Sequence, residues 1–203
     1  MEDNKNSFPL YHGSESIPKI SFMVNVAWGN KYLIDLLELL KEKNISLTFF
    51  LEGRWVENFP ELALMVRNAK HEIGNHAYSH QDMSTISTEE IQMEITKTNE
   101  IINRILGVSP KYFTPPYGSF DQRTIDHAAQ HTMTTIMWSL DTIDWRIENP
   151  NEIVENIAPI LKNGDIILMH PTNSSLKALP VLIEKAAEKN LQIVNISELL
   201  KTK

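Results

Sequence analysis

His76 and His80 stand four residues apart in GNHAYSH. Two imidazoles at that spacing can reach one divalent ion from a single helical turn. The metalloprotease form of this pattern carries Glu directly after the first His. Ala77 occupies that place, so that chemistry is excluded. The alternative is a pair of loop histidines bonded to backbone. His170 ends the apolar run DIILMH. It is either a structural cap or a general acid or base, because imidazole titrates near neutral pH. Asp141 could orient and charge-stabilise such a histidine, or Asp141 and Asp144 could form a carboxylate pair for glycoside hydrolysis. Tyr117 and Trp145 offer rings that either stack on a sugar or fill the core.

The elements that must position these residues follow from hydrophobic period. Short apolar runs at 20–26, 47–53, 72–76, 133–140, 165–170 and 191–196 read as strands, and 112–119 as a short extended segment running into a Pro/Gly loop. Between them lie amphipathic helical stretches at 31–43, 60–70, 87–106, 122–131, 151–161 and 176–189, the last despite Pro180. Ser87 and Glu90 form a capping box that opens the third helix, and Gly107 supplies its stop. Ser197 reads as the cap of a terminal turn. The strands are apolar on both faces and alternate with helices, which predicts an α/β fold with a parallel sheet or a (β/α) barrel. In such barrels chemistry sits on the loops after the strand C-termini. His76, His80, Tyr117, Asp141, Trp145 and His170 all fall there. Residues 1–19, with two Pro and several Ser and Asn, read as an N-terminal arm or linker, and 20–203 as the domain.

Composition narrows the function classes. With 203 residues, 42 % hydrophobic and 22 % charged, the chain has the balance of one globular domain. The absence of cysteine excludes disulfides, a cysteine zinc ribbon, iron–sulfur clusters and a thiol nucleophile. Acidic residues outnumber basic ones, 26 to 19, with no Lys/Arg block, so no nucleic-acid partner is expected. No run reaches the roughly 18–20 apolar residues of a membrane span. The first residues show no apolar signal-peptide core.

Taken together, the loop residues resemble the polysaccharide deacetylase (NodB-homology, carbohydrate esterase family 4) domain over residues 20 to about 200. The family's His-(Ser/Thr)-x-x-His motif appears as His76-Ala-Tyr-Ser-His80, and its Arg-x-Pro-Tyr-like motif as Thr114-Pro-Pro-Tyr-Gly118. Asp141-Thr-Ile-Asp-Trp145 and Leu168-Met-His170 match its fourth and fifth motifs intact. The resemblance implies a distorted (β/α) barrel of about seven parallel strands. It also implies a divalent metal, zinc or cobalt, held by one Asp and two His, and hydrolysis of N-acetyl groups on glycans such as peptidoglycan or chitin-like polymers. It makes His76 and His80 metal ligands, His170 the general acid with Asp141 beside it, and Tyr117, Trp145, Leu168 and Pro116 substrate contacts. An N-acetylated polysaccharide partner and an extracytoplasmic or cell-wall location follow from the same resemblance.

The first motif departs. The family's Thr-Phe-Asp-Asp-Gly aligns with Asn25-Val-Ala-Trp-Gly29. The base Asp becomes Ala27 and the metal-binding Asp becomes Trp28. The Arg that pairs with the base becomes Thr114, a consistent change, since a buried Arg without its carboxylate is an unpaired charge. Losing a general base typically costs ~10²–10⁴-fold, and two histidines fall short of the usual three protein ligands. Weak or lost deacetylation is therefore expected. The alternative is a non-catalytic carbohydrate-binding descendant, with Trp28 as an added sugar platform or a block to the pocket.

Overall fold

The computed structural model describes residues 8–201. In chain order the elements are β1 (Lys19–Val26), α1 (Asn30–Glu42), β2 (Thr48–Leu51), α2 (Gly53–Asn58), α3 (Pro60–Asn68), β3 (Glu72–Asn75), α4 (Thr88–Leu106), β4 (Tyr112–Phe113), α5 (Gln122–Gln130), β5 (Thr134–Thr135), β6 (Leu140–Asp141), α6 (Pro150–Ile157), β7 (Ile166–Met169), α7 (Asn173–Glu188), β8 (Gln192–Ile193) and α8 (Ile196–Leu199). Seven strands lie in the order β5-β4-β3-β2-β1-β7-β6, all paired in parallel, and β8 pairs with the first two residues of β1. This is the distorted (β/α) barrel expected from the sequence.

The sheet must curl. β5 and β6 are its opposite edges, yet only residues 136–139 separate them in the chain. Such a link spans at most about 18 Å. Leu10 enters this seam: its N–H donates to the Thr135 carbonyl (2.9 Å) and its carbonyl accepts from Met137 N–H (2.8 Å). Residues 1–7 of the expected arm lie outside the described residues. From Leu10 onward the arm is laid against the barrel, Leu10 bridging Ile136 and His12 bridging Asp165.

The two-residue period of a strand sorts the side chains. Phe22, Val24, Val26, Phe49, Leu51, Ile73, Ile167 and Met169 face outward and pack on the apolar stripes of α1, α4 and α7. Met23, Phe50, Ile166 and Leu168 face inward with Ile136, Ile196 and Leu199. Gly74 belongs to the inner set. A Cβ there would lie 2.4 Å from the Phe50 ring, so only glycine lets that ring fill the barrel.

Several boundaries differ from the sequence reading. The run 133–140 is not one strand: the chain leaves the sheet after Thr135 and re-enters at Leu140. α2 arises where strand ending was expected, its first turn capped by the Glu52 carboxylate accepting from Trp55 N–H (2.7 Å). α7 starts at Asn173, three residues earlier than expected, which places Pro180 in its interior. Asn195, not Ser197, caps the last helix. The capping box at Ser87 and the left-handed Gly107 stop of α4 are as expected.

Candidate functional site

The inward alternation continues past the strand ends. It delivers Asn25 from β1, His76 after β3, Asp141 from β6, and Leu168 and His170 from β7 to one mouth of the barrel. There they line a cleft of about 490 Å³ together with Trp28, His80, Tyr117, Trp138 and Trp145. The segments brought together are 25–28, 76–80, 117, 138–145 and 168–170.

His76 is buried, and its Nδ1 bonds the Thr114 carbonyl (2.9 Å). Nδ1 must donate to a carbonyl, which leaves Nε2 with a free lone pair. Burial, then the neighbouring His80, lowers the His76 pKa to about 3, so the ring is neutral at pH 7. Burial lowers the pKa of His80 as well. The two rings meet edge to face at 5.0 Å, and Tyr117 closes on His80 at 4.6 Å. The histidines converge from a loop, not from the helical turn inferred from their spacing. Ala77 and His80 take left-handed φ values of 60° and 59°. Glu94, buried on α4, pins the loop by accepting from Tyr78 N–H (2.8 Å), Ser79 N–H (2.7 Å) and Ser79 Oγ (2.6 Å).

His170 donates from Nδ1 to Asp144 Oδ1 (2.8 Å), and its backbone N–H donates to Asp144 Oδ2 (2.7 Å). The carboxylate partner of His170 is therefore Asp144, not Asp141 as expected from the sequence. Asp141 instead accepts from Ile143 N–H (2.8 Å). That turn, with Ile143 at φ 51°, throws Asp144 back beneath His170. Burial raises the pKa of Asp141, offset by Ile143 N–H and by nearby His170.

Trp28 stacks on His170 at 5.4 Å and 12°. The approach depends on Gly29, whose φ is 89° and where a Cβ would lie 2.4 Å from the Pro171 carbonyl oxygen. Tyr117 and Trp145 are exposed at the rim, so neither is a core residue. Leu168 lines the wall, whereas Pro116 is buried in the turn 116–118 and does not reach the cleft surface. Thr114 is buried, and its hydroxyl has no partner.

The polysaccharide deacetylase family profile matches residues 13–136. The chain belongs to the polysaccharide deacetylase family. It is 43 % identical over 192 residues to the uncharacterized protein YlxY of Bacillus subtilis, covering 95 % of this chain and 60 % of that protein. It is 33 % identical to a peptidoglycan-N-acetylglucosamine deacetylase of Bacillus cereus, over 82 % of this chain and 62 % of that one. Its fold is similar to the crystal structure of a CE4 family pseudoenzyme from Bacillus anthracis, with TM-score 0.94, 40 % identity and coverage of 96 % of this chain and 69 % of that one. A mutant of that pseudoenzyme is described as having restored enzymatic activity. The chain thus spans about three fifths of the length of these curated relatives.

Polysaccharide deacetylases are generally metal-dependent, so the donor set here decides whether a metal fits. His76 and His80 offer two nitrogens. Trp28, which lines the same cleft, carries an indole with no free lone pair. Among the described residues no group of three or more His, Cys, Asp or Glu side chains is gathered for a metal ion. The residues present do not fit a three-ligand catalytic site. Ala27 adds no base.

Three contributors escaped the sequence reading. The sequence marks Asp144 as half of a carboxylate pair or as a structural residue of its motif, not as the partner of His170. Asn25 is a polar residue at an inward position of an otherwise apolar strand, a signal that strand period alone could have supplied. Trp138 lay inside what read as continuous strand.

Proposed function

We propose that this domain is a catalytically silent polysaccharide deacetylase fold that keeps the family's glycan cleft. It holds N-acetylglucosamine-containing wall polymer, of peptidoglycan or chitin-like type, outside the cytoplasm, and does not remove its acetyl groups. The observation that carries the reading is Trp28 stacked on His170, with Ala27 beside it. One indole stands where the metal-binding carboxylate belongs and shields a face of the acid. The exposed Tyr117 and Trp145 support retained sugar contact, since such rings present flat apolar surface to a pyranose. Zinc or cobalt held by His76 and His80 alone would be held weakly.

A second reading, a weak deacetylase with a rearranged site, draws on the intact Asp144–His170 pair and the free Nε2 of His76. One experiment separates the two. Bound metal, and acetate release from N-acetylglucosamine oligomers with added zinc or cobalt, are measured on the parent and on the Ala27→Asp/Trp28→Asp/Thr114→Arg variant. The silent reading expects metal and acetate release only in the variant. Acetate release by the parent overturns it, and a variant that gains neither metal nor activity refutes the assignment of the first motif.

A further inference from the structure

The cleft carries a chemical signature that the loss of catalysis alone does not explain. Four aromatic side chains, Trp28, Trp138, Trp145 and Tyr117, line it, and Asp141 is the one carboxylate among its lining residues. Asp141 faces the same space. Among the described residues no Lys or Arg pairs with it and none lines the cleft. The nearby Arg54 is engaged by Glu52 at 3.2 Å. The other titratable groups at this mouth are Tyr117, His76, His80 and His170 on its buried partner Asp144.

The family's reacting group is an acetamide whose carbonyl oxygen leans on a metal cation. On the reading above, Trp28 stands in the cleft in place of the metal-binding carboxylate, so that oxygen has no cation to lean on. Aromatic faces with one carboxylate are instead the chemistry that receives an ammonium group. We infer that the cleft reads the 2-amino substituent of the sugar, preferring units whose amine is free and protonated, as in glucosamine, over N-acetylated units. This rests on the glycan-binding reading above and refines it: the protein holds amino-sugar polymer at positions already stripped of acetyl.

Titration calorimetry at about pH 6 tests this with glucosamine pentamers, N-acetylglucosamine pentamers and cellopentaose. Glucosamine pentamers should bind about tenfold more tightly than acetylated ones, a factor in the range of one desolvated cation–π contact. Asp141→Asn should reduce that preference to about threefold or less, the loss falling on the glucosamine pentamer more than on the acetylated one. Trp28→Leu should weaken the glucosamine pentamer. A polycation is also drawn by the chain's net charge of −7, so Glu184→Gln, an exposed change on α7 away from the cleft, serves as the control. Equal losses in Glu184→Gln and Asp141→Asn would overturn the inference, as would equal or tighter binding of the acetylated pentamer. In the latter case glycan binding itself still stands. Failure of all three sugars to bind would remove the proposed function as well.

Discussion

The Trp28 indole lies nearly parallel over the His170 imidazole, 12° apart in plane and 5.4 Å between centroids. Two positions remote in sequence are locked together by the Gly29–Pro171 approach, where no larger residue fits. The contact gives His170 an apolar cover on one face while Asp144 holds its Nδ1 edge. Imidazole and carboxylate are thereby held in a fixed mutual orientation.

The two altered residues of the first motif should be separable by metal binding. Trp28→Asp restores a carboxylate beside His76 and His80, completing three protein ligands. Zinc affinity, measured by competition with a chromophoric chelator, should rise by more than the roughly 10–100-fold typical of residues that merely orient a ligand. Ala27→Asp alone should leave zinc affinity within about threefold of the parent. Equal gains from both variants would mean that the roles of positions 27 and 28 are exchanged.

The two aspartates of the fourth motif should differ sharply in stability. Asp144 is buried and serves the His170 ring, the His170 N–H and the Thr172 hydroxyl. Asp144→Ala strands these donors and should cost about 3–5 kcal/mol in urea denaturation. Asp141 accepts one backbone N–H at a half-buried site. Asp141→Ala should cost about 1 kcal/mol or less. A reversed order would return the orienting role to Asp141.

Why the sequence did not distinguish them is physical. Spacing places both carboxylates on one loop, but the left-handed Ile143 decides which one turns inward, and no local pattern marks that residue. The barrel was legible because β1, β2 and β7 are apolar on both faces, a pattern that only a helix-covered parallel strand satisfies. The convergence of His76, His80 and His170 was legible from their places at strand ends. The break at 136–139 was hidden. Ile136 and Met137 are buried like strand residues while their backbone pairs partly with Leu10, a partner more than 120 positions away. α2, six residues long and begun by a glutamate cap, is too short to declare a helical period.

Acid should weaken the fold through histidines buried in neutral form. His76 and His71 fall from the ordinary 6.5 to about 3 and about 4, both chiefly by burial, and His80 is lowered in the same sense. The unfolded chain takes up these protons near 6.5 and the folded one does not. Their contribution is therefore complete above pH 6.5 and is lost as pH falls from there towards the folded values. Asp141, raised by burial, acts oppositely above its ordinary 3.8 and trims the slope at the acid end. Between pH 6 and 5 the unfolding free energy should drop by about 2 kcal/mol. His71→Gln should remove about half of that drop. A flat profile over this interval would contradict neutral burial of the pair.

Glu94 should govern the order of the histidine loop. Its carboxylate is fully buried and accepts from two successive backbone N–H groups and from the Ser79 hydroxyl. Without it, Ala77 and His80 must keep their left-handed conformations with less support. Glu94→Ala should cost about 2–4 kcal/mol, and amide exchange at Tyr78 and Ser79 should accelerate by more than tenfold relative to α4. Glu90→Ala, on the same helix, removes only its half of the capping box with Ser87. It should cost about 1 kcal/mol and leave loop exchange unchanged. If both variants loosen the loop equally, the effect travels through α4 as a whole, and Glu94 is not what fixes the histidines at the cleft.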